Sequence, residues 1–410
     1  MDQPNPKTFC PAPWFQIRNS NDMTKRVCGS IKTQPQDNNS VAQSPLEYLN
    51  ADHIQSLRQQ LHQGIRATPC DACWKNEDSG AESLRQKLIN QVTAQKGIAN
   101  SFINNYFKHK NNYRSDLLIM ADIKIGNTCN HACVMCHPGD SSLIYNKWLQ
   151  GKKQFFVKEK LEQDSKYFDK IKLNTYKNDK YRSFVSDILN NNQNLRNIKL
   201  LGGEPLLDSR LLEKLSHLPS AQKNKISLEF ITNGSIDLSR VLNKLGDFRK
   251  INFSISIEGV GKTQEYARMG SDWSFLENNI LQVKDTPGVS VGVVHTLQTS
   301  TVLGFVELAN WIADNNLKLS FGCVTEPDFL SFKSMPEMAK DKAIASLESS
   351  SFECIQNDFQ NNNLITKEQV LKFIRSFEFD QSMHSRFKTY VNWYEQDSKI
   401  KLKDLYPELL

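Results

Sequence analysis

Residues 127–136 read N-T-C-N-H-A-C-V-M-C and place three cysteines at the spacing C-x₃-C-x₂-C. The stretch before them, Leu117–Ile125, is mostly apolar and predicts a buried strand. Cys129, Cys133 and Cys136 therefore follow the carboxyl end of a strand, which is where α/β folds hold their binding and catalytic groups. We expect this loop to be the centre of the functional site.

Three thiolates at this spacing are typical ligands of a metal centre. A 4Fe–4S cube takes cysteine thiolates as its usual protein ligands. Three cysteines would leave one iron open, as catalytic metal sites keep a free position. The spacing by itself leaves zinc and three unrelated buried thiols as alternatives.

Strand-like and helix-like patterns alternate between residues 111 and about 330, which is typical of parallel α/β architecture. After Leu117–Ile125, the predicted strands are Ile198–Leu201, Ile226–Ile231, Ile251–Ile257, Val289–Leu297 and Leu317–Val324. The predicted connecting helices lie near Ser209–His217, Leu238–Leu245, Ser274–Val283 and Leu303–Asn315. An open doubly wound sheet is the alternative to a barrel-like arrangement of these strands.

One of these strands, Ile251–Ile257, has a polar face. Side chains alternate between the two faces of a strand, and an ordinary buried parallel strand is apolar on both. Here Asn252, Ser254 and Ser256 share one face, and Glu258 continues it. The same character recurs at other predicted strands, in Asp122, Lys124, Glu229 and Asn233. The sequence therefore predicts a wet or ligand-filled lumen.

A second motif, Gly202-Gly203-Glu204-Pro205, ends the strand Ile198–Leu201. Glycines let the backbone approach a ligand closely. The cysteine spacing, with the apolar Met135 before the third cysteine, resembles the signature of the radical S-adenosylmethionine (SAM) superfamily. The Gly-Gly-Glu-Pro strand end resembles a second motif of that family. Thr232-Asn233-Gly234 resembles another strand end of that family.

The resemblance implies a partial (β/α)₆ TIM-like barrel in which Cys129, Cys133 and Cys136 hold a 4Fe–4S cluster whose open iron binds SAM. In that family, reductive cleavage of SAM gives a 5′-deoxyadenosyl radical that abstracts hydrogen from a substrate. The positions that the resemblance assigns to the cofactor are Met135, Gly202, Gly203, Glu204, Asn233, Ser256 and Arg268. Glu204 would accept from the methionine ammonium, and Ser256 and Arg268 would hold the carboxylate or the ribose. The resemblance identifies no residue as base or hydrogen donor.

The first 110 residues carry four more cysteines, Cys10, Cys28, Cys70 and Cys73, at C-x₁₇-C-x₄₁-C-x₂-C. A short hairpin is predicted between the first two cysteines. A helix is predicted to open at Ser44-Pro45-Leu46-Glu47 with a capping box, and another to run from Ser83 to Ala94. The four thiols can converge on one metal site, either zinc or an iron–sulfur cluster, or bind no metal. They resemble the twitch and SPASM modules of radical SAM enzymes, which implies an auxiliary 4Fe–4S cluster. In most of that family such modules follow the catalytic domain, whereas this one precedes it.

The predicted organisation is therefore a small α+β cysteine-rich module over residues 1–110, a radical SAM core over 111–330 and a helical cap over 331–410. Cys323 and Cys354 lie outside both cysteine sets and are interpreted as inert thiols. Seven of the nine cysteines fall in the two sets, which suits metal ligation in a reducing cytosol. No run approaches 18 apolar residues, so no membrane span is expected.

The net charge of +6 is concentrated in a basic insertion, residues 147–182, which holds eleven Lys/Arg and five Asp/Glu. A solvated surface insertion is the favoured interpretation. Its interleaved aromatic residues leave open a partner such as an acidic peptide.

The expected function is a cytoplasmic radical SAM enzyme whose substrate is a ribosomally made peptide. A small-molecule dehydrogenase or rearrangement enzyme is the alternative within the family. An external reductase such as flavodoxin or ferredoxin is the expected partner. From another class, a non-catalytic zinc-knuckle protein that binds RNA remains open, although nucleic acid is not the favoured partner.

Overall fold

The computed structural model describes residues 7–20, 23–32, 34–37, 43–78, 82–94, 96–150, 179–324, 327–356 and 364–410. Most of the basic insertion, residues 151–178, lies outside the described residues. None of the helices in the described ranges is long and apolar enough to cross a membrane.

The centre of the molecule is a sheet of eight strands, seven of them parallel. Six parallel strands follow one another in chain order: β3 (Met120–Lys124), β5 (Asn197–Leu201), β6 (Ser227–Thr232), β7 (Lys250–Ser256), β9 (Val289–Leu297) and β10 (Lys318–Cys323). This confirms the α/β class, and each predicted strand is present with its ends shifted by no more than a few residues. The order does not reverse across the sheet, as it would in a doubly wound fold, so the partial barrel is the better description.

The predicted N-terminal hairpin is present and extends this same sheet. Its first strand, β1 (Gln16–Asn19), pairs in parallel with β3, and β2 (Lys25–Arg26) pairs antiparallel with β1. The buried Asn19 prolongs the pairing beyond the backbone ladder. Its amide nitrogen donates to Lys124 O (2.8 Å), and its amide oxygen accepts from Lys124 N (2.8 Å). The first cysteines are thus attached directly to the strand that leads to Cys129.

Helices cover the sheet and occupy both ends of the chain. Their bounds are Ala12–Phe15, Pro45–Leu49, Asp52–His62, Asp71–Asp78, Leu84–Ala94, Lys96–His109, Ser142–Gln150, Asp179–Asn191, Ser209–Ser216, Ser220–Lys223, Leu238–Leu245, Lys262–Ala267, Trp273–Val283, Phe305–Asp314, Glu337–Ser349, Lys367–Arg375, Gln381–Tyr394 and Leu402–Leu405. Short 3₁₀ turns precede or follow several of them, at 68–70, 205–207, 299–304, 328–330, 332–334, 395–397 and 407–409. Two short antiparallel strand pairs complete the fold: β4 (Ala132–Cys133) with β8 (Arg268–Met269), and β11 (Cys354–Gln356) with β12 (Leu364–Thr366).

The capping box expected at Ser44 is present. Ser44 N donates to Glu47 Oε2 (2.6 Å), and Glu47 N donates to Ser44 Oγ (3.3 Å). This reciprocal pair satisfies two backbone donors at the start of Pro45–Leu49. The antiparallel β11–β12 pair in the C-terminal region was not expected, because each strand has only three residues and little alternation.

A buried arginine joins three N-terminal helices to one another and to the segment before β3. Arg58 is 1% exposed and donates to Pro13 O, Leu49 O and Tyr113 O at 2.6–3.1 Å. Its guanidinium also lies 5.0 Å from the Trp14 ring. Burial lowers the pKa of Arg58 to about 9. Three carbonyl dipoles and an aromatic face therefore stabilise the cation. A neutral side chain at this position would leave the three carbonyls without a donor.

We expect Arg58→Met to lower the free energy of unfolding by roughly 3 kcal/mol, because three buried carbonyls lose their donor. Arg240→Met is the matched control, since the Arg240 side chain is 87% exposed, and it should change stability by less than about 0.5 kcal/mol. Urea unfolding followed by tryptophan fluorescence measures both. Equal midpoints for the two variants would contradict a structural role for Arg58.

Candidate functional site

The cysteine loop leaves β3 and is fixed first by the end of β5. Ile125 N donates to Leu201 O (2.9 Å), Gly203 N to Gly126 O (2.9 Å), and Glu204 N to Thr128 O (2.8 Å). The parallel pairing of β3 with β5 thus continues past both strands. As a result, the two sequence motifs lie side by side at the carboxyl edge of the sheet.

The two glycines of the second motif make this contact possible. Gly202 has φ +135°, and a Cβ there would lie 2.7 Å from Gly126 O. A Cβ on Gly203 would lie 2.1 Å from Thr128 O. Real Cβ atoms do not approach a backbone oxygen so closely, so the glycines are required by the cysteine loop itself as well as being available to a ligand.

The helix that follows the loop holds its other side. Ser142 N donates to Asn127 O (2.7 Å), and Cys129 N donates to Ser142 Oγ (3.1 Å). The buried Ser141 hydroxyl donates to His131 O (2.8 Å). The start of the helix Ser142–Gln150 therefore anchors the cysteine loop.

The short β4–β8 ladder places Arg268 beside Cys133. The two residues are register partners in antiparallel strands, and Val134 N donates to Ala267 O (2.8 Å). Arg268 Nη1 lies 3.4 Å from Cys133 Sγ, within hydrogen-bond range for sulfur. Arg268, predicted to bind the cofactor, is therefore in the site and contacts a predicted metal ligand.

Glu258 holds the other edge of the guanidinium. Its Oε1 accepts from Arg268 Nη2 (2.6 Å) and Nε (3.2 Å), and its Oε2 accepts from Thr296 N (2.9 Å). The Glu258 side chain is fully buried. Burial lowers the pKa of Arg268, but Cys133 and Glu258 outweigh it and the net shift is upward, so the guanidinium is a permanent cation.

The sulfurs of the loop interact with one another and with nearby donors. A hydrogen bond from Cys136 and the charge of Arg268 lower the pKa of Cys133, against its burial, while the same pair interaction raises that of Cys136. Cys129 Sγ accepts from His131 N (3.4 Å) and lies 3.9 Å from Asn233 Nδ2. Burial nevertheless raises the pKa of Cys129 to about 11 against the His131 donor, so a bound metal centre would be needed to hold all three sulfurs as thiolates.

Among the described residues, no three His, Cys, Asp or Glu side chains converge on a point where a single metal ion would sit. A 4Fe–4S cube differs from such an ion because its cysteine ligands bind separate irons. The chemistry of the donor set at residues 129–136, three thiols on one loop with N–H donors directed at sulfur, fits a cluster of that kind.

Glu204 is buried at the centre of the strand ends. It is 1% exposed, and its carboxylate accepts from Asn233 N (2.7 Å), Thr232 Oγ1 (2.7 Å) and Leu206 N (3.0 Å). Burial raises its pKa although these three donors oppose the shift. Glu204 therefore joins the end of β5 to the end of β6, a structural task that the motif alone did not reveal.

The structure brings most of the predicted cofactor residues together. Asn233 donates through Nδ2 to Asn130 Oδ1 (2.9 Å) on the cysteine loop. Ser256 lies at the end of β7, where its carbonyl accepts from Gln264 Nε2 (3.3 Å). Met135 is half-buried and packs on the core. Within the part of the chain that the structure describes, neither Ser256 nor Met135 makes a polar contact with the cysteines.

Two tyrosines from the C-terminal helix Gln381–Tyr394 were missed by sequence reasoning. Tyr390 Oη donates to Val134 O (2.7 Å), and Tyr394 Oη lies 2.8 Å from Ala132 O. Both side chains are buried to within 1% exposure. They fix the carbonyls on either side of Cys133, across more than 250 residues of sequence. Only the helical spacing of Tyr390, Trp393 and Tyr394 hinted that this face was buried.

The four N-terminal cysteines line one cavity with an otherwise apolar wall. Its other lining residues are Ser30, Ile31, Leu61, Trp74, Leu84, Arg85 and Leu88. Burial is the main cause that raises the pKa of Cys10, of Cys28 to about 11 and of Cys70 to about 12. The neighbouring thiols of Cys28, Cys70 and Cys73 raise the pKa of Cys10 further, and Cys73 does the same to Cys28 and Cys70. Four sulfurs that line one hydrophobic cavity fit a cluster whose thiolate ligands bind separate irons.

A buried ion pair fixes the walls of this cavity. Arg85 Nη2 donates to Glu77 Oε2 (2.6 Å), and Arg85 Nη1 donates to Phe9 O (2.8 Å). Ser83 Oγ donates to Glu77 Oε1 (2.5 Å). The residue before Cys10 is thereby connected to the helix that carries Cys73, which holds distant parts of the sequence in one site.

These features define an α/β barrel-type domain with a thiol-bearing loop at the carboxyl edge of its sheet. Residues 123–296, which include that loop and both glycine-rich and TNG strand ends, match the family model of the radical SAM superfamily. The matched region is somewhat less than half of the chain.

Among solved structures, the chain is similar to native anSMEcpe with bound AdoMet, at 22% identity over 56% of this chain and 59% of that chain, with a TM-score of 0.37. It is also similar to Streptococcus suis SuiB bound to S-adenosylmethionine, at 12% identity over 86% and 67% of the two chains, with a TM-score of 0.32. TYW1 with a lysine-pyruvate adduct bound matches at 17% identity over 61% and 78%, with a TM-score of 0.29. The match spans about three-fifths of the anSMEcpe chain. No curated protein matches this sequence.

Gly203→Ala should displace the cysteine loop, because the new Cβ would meet Thr128 O at 2.1 Å. We expect this variant to bind less iron and to have a free energy of unfolding lower by about 1–3 kcal/mol. Gly322→Ala is the matched control, since nothing lies within 4 Å of the added Cβ. Iron analysis and urea unfolding of both variants check this, and wild-type iron in Gly203→Ala would show that the contact is dispensable.

Proposed function

We propose that this protein is a radical SAM enzyme that abstracts hydrogen from a polar substrate held in the barrel lumen. The observation that carries the proposal is the convergence of Cys129, Cys133 and Cys136 with Glu204 and Arg268 at one edge of the sheet. A 4Fe–4S cluster requires thiolate ligands, which the cysteines would supply. The methionine moiety of SAM has an ammonium and a carboxylate, which Glu204 and Arg268 match in charge.

Cys129, Cys133 and Cys136 would ligate the cluster, and SAM and the cluster, when bound, would supply a 5′-deoxyadenosyl radical. A carboxylate offers about four acceptor positions, of which Glu204 uses three, so one remains for an ammonium group. A guanidinium has about five N–H donors. Three donate to Glu258 and Cys133, which leaves two for a carboxylate.

The lumen supports a polar substrate. Arg18, Asp122, Lys199 and Glu229 are successive register partners on β1, β3, β5 and β6. Lys199 Nζ lies 3.1 Å from Glu229 Oε2, and Arg18 Nη1 lies 4.0 Å from Asp122 Oδ2. These side chains are 14–37% exposed. A rung of alternating charge that reaches solvent inside a barrel favours a substrate rich in polar groups, such as a peptide or a polar small molecule.

The proposal extends to a second, auxiliary 4Fe–4S cluster on Cys10, Cys28, Cys70 and Cys73, in a module of the twitch or SPASM kind. With four ligands this site would have no open iron, so it would serve electron transfer or folding. A reductase such as flavodoxin or ferredoxin would deliver the electron to the first cluster. The basic, aromatic-rich insertion 147–182 favours a peptide as the substrate, and this choice of substrate stays a hypothesis.

Replacing Cys129, Cys133 and Cys136 together by Ala should abolish formation of 5′-deoxyadenosine while the protein remains folded. The loop offers no other thiolate, so partial activity is not expected. Cys354→Ala is the control, because that cysteine is exposed and lies far along the chain. The anaerobic assay contains dithionite and SAM, with product measured by chromatography, and unchanged turnover in the triple variant would refute the proposed function.

Anaerobically reconstituted protein should contain about eight irons per chain, for two 4Fe–4S cubes. The Cys70→Ala/Cys73→Ala variant should lose about half of that iron, by the same ligand count, and should still cleave SAM while converting substrate poorly. Cys323→Ala should keep all of it. Zinc in place of half the iron would make the first module a zinc knuckle, and zinc at both sites would favour the RNA-binding alternative. Four irons without zinc would show that the N-terminal cysteines bind no metal.

A further inference from the structure

Arg268 is placed against Cys133 by the backbone and not by a flexible surface contact. The two residues are register partners in the β4–β8 ladder, and the Arg268 side chain is 12% exposed. Met269 N donates to Tyr394 Oη (3.4 Å), and the same hydroxyl lies within donating distance of Tyr266 O (2.9 Å). The strand that carries Arg268 is therefore fixed from both the cysteine loop and the C-terminal helix.

Glu258 fixes the orientation of the guanidinium. One carboxylate oxygen, Oε1, accepts from both Nε and Nη2 of Arg268. The other, Oε2, accepts from Thr296 N (2.9 Å) and lies 3.3 Å from His295 Nδ1. With both oxygens occupied and the side chain fully buried, the carboxylate cannot turn, and the remaining Nη1 edge of Arg268 is directed at sulfur.

His295 completes the chain as a neutral donor. Its Nδ1 lies 3.0 Å from Ile257 O and 3.3 Å from Glu258 Oε2, which are both acceptors, so Nδ1 carries the hydrogen. Burial is the main cause that lowers the pKa of His295, and Arg268 lowers it further. The group around Glu258 therefore holds one anion and one cation, and the cation is the member that contacts Cys133.

A buried cation beside a cluster ligand acts on the electron affinity of the cluster. Reduction adds one negative charge, and hydrogen bonds to the sulfurs are among the factors that set iron–sulfur potentials. At low local dielectric, charges a few ångströms apart interact strongly. A fixed donor at Cys133 Sγ therefore favours the reduced form, which is the form that would pass an electron to SAM.

We propose that Arg268, held by Glu258, is a positioning residue that raises the reduction potential of the cluster through its hydrogen bond to Cys133. This goes beyond its assignment to the SAM carboxylate and rests on the proposed function, because it requires a cluster on Cys129, Cys133 and Cys136. The two roles are separable. The contact with sulfur acts without SAM, whereas the contact with a carboxylate requires it.

The test is an anaerobic redox titration of the reconstituted full-length protein without SAM, followed by electron paramagnetic resonance. The relevant signal is the one that changes when SAM is added to a parallel sample, which separates it from a second cluster. Arg268→Met removes the charge and the donors at similar length. We expect reduction to become at least tenfold less favourable, a potential lower by about 59 mV for one electron. Arg268→Lys keeps the charge without the fork and should lie between wild type and Met.

Arg240→Met is the control, because it removes an arginine whose side chain is 87% exposed, and its potential should equal that of wild type. A wild-type potential in Arg268→Met with full iron would overturn the inference. Loss of the cluster from both Arg268 variants would also overturn it, in favour of a folding role. Wild-type protein without a SAM-responsive signal would instead refute the proposed function.

Discussion

The close packing of the Gly202–Glu204 backbone on the start of the cysteine loop is the contact on which the rest of the site depends. Two backbone hydrogen bonds, Gly203 N to Gly126 O and Glu204 N to Thr128 O, continue the β3–β5 pairing beyond the strands. They form only because no Cβ stands between the chains. This contact fixes the position of the start of the cysteine loop. The parallel sheet then brings the ends of β6 and β7 to the same edge.

The charges at that edge are tolerated because each is satisfied by neighbours within the fold. An isolated buried carboxylate or guanidinium is costly. Glu204 accepts three hydrogen bonds from the chain, and Glu258 accepts from a guanidinium and a backbone amide. The site is therefore organised before any ligand arrives. Binding a charged cofactor would then need little rearrangement, which is the usual basis of electrostatic preorganisation.

Much of this was predictable from sequence, and the reason lies in which interactions are local. The six parallel strands follow from short apolar runs with helical patterns between them, and Ser44 with Glu47 specified a capping box that the structure contains. The neighbourhood of Cys129 and Gly203 followed from strand ends that share one edge. Contacts set by packing between distant elements were not predictable. Tyr390 and Tyr394 reach Val134 and Ala132 from the far end of the chain, and Glu204 showed no sign of its three internal donors.

The attachment of the N-terminal hairpin to the sheet has a consequence for the two cysteine sets. Cys10 precedes β1 and Cys28 follows β2; since β2 is antiparallel to β1, both lie toward the amino end of β1. Cys129 follows the carboxyl end of β3, which is parallel to β1. The sets therefore lie toward opposite ends of the same pair of strands. Five residues at about 3.3 Å each separate the ends of β3 by roughly 17 Å. The charged rung from Arg18 to Glu229 lies between these ends, at the middle residue of β3 and β5.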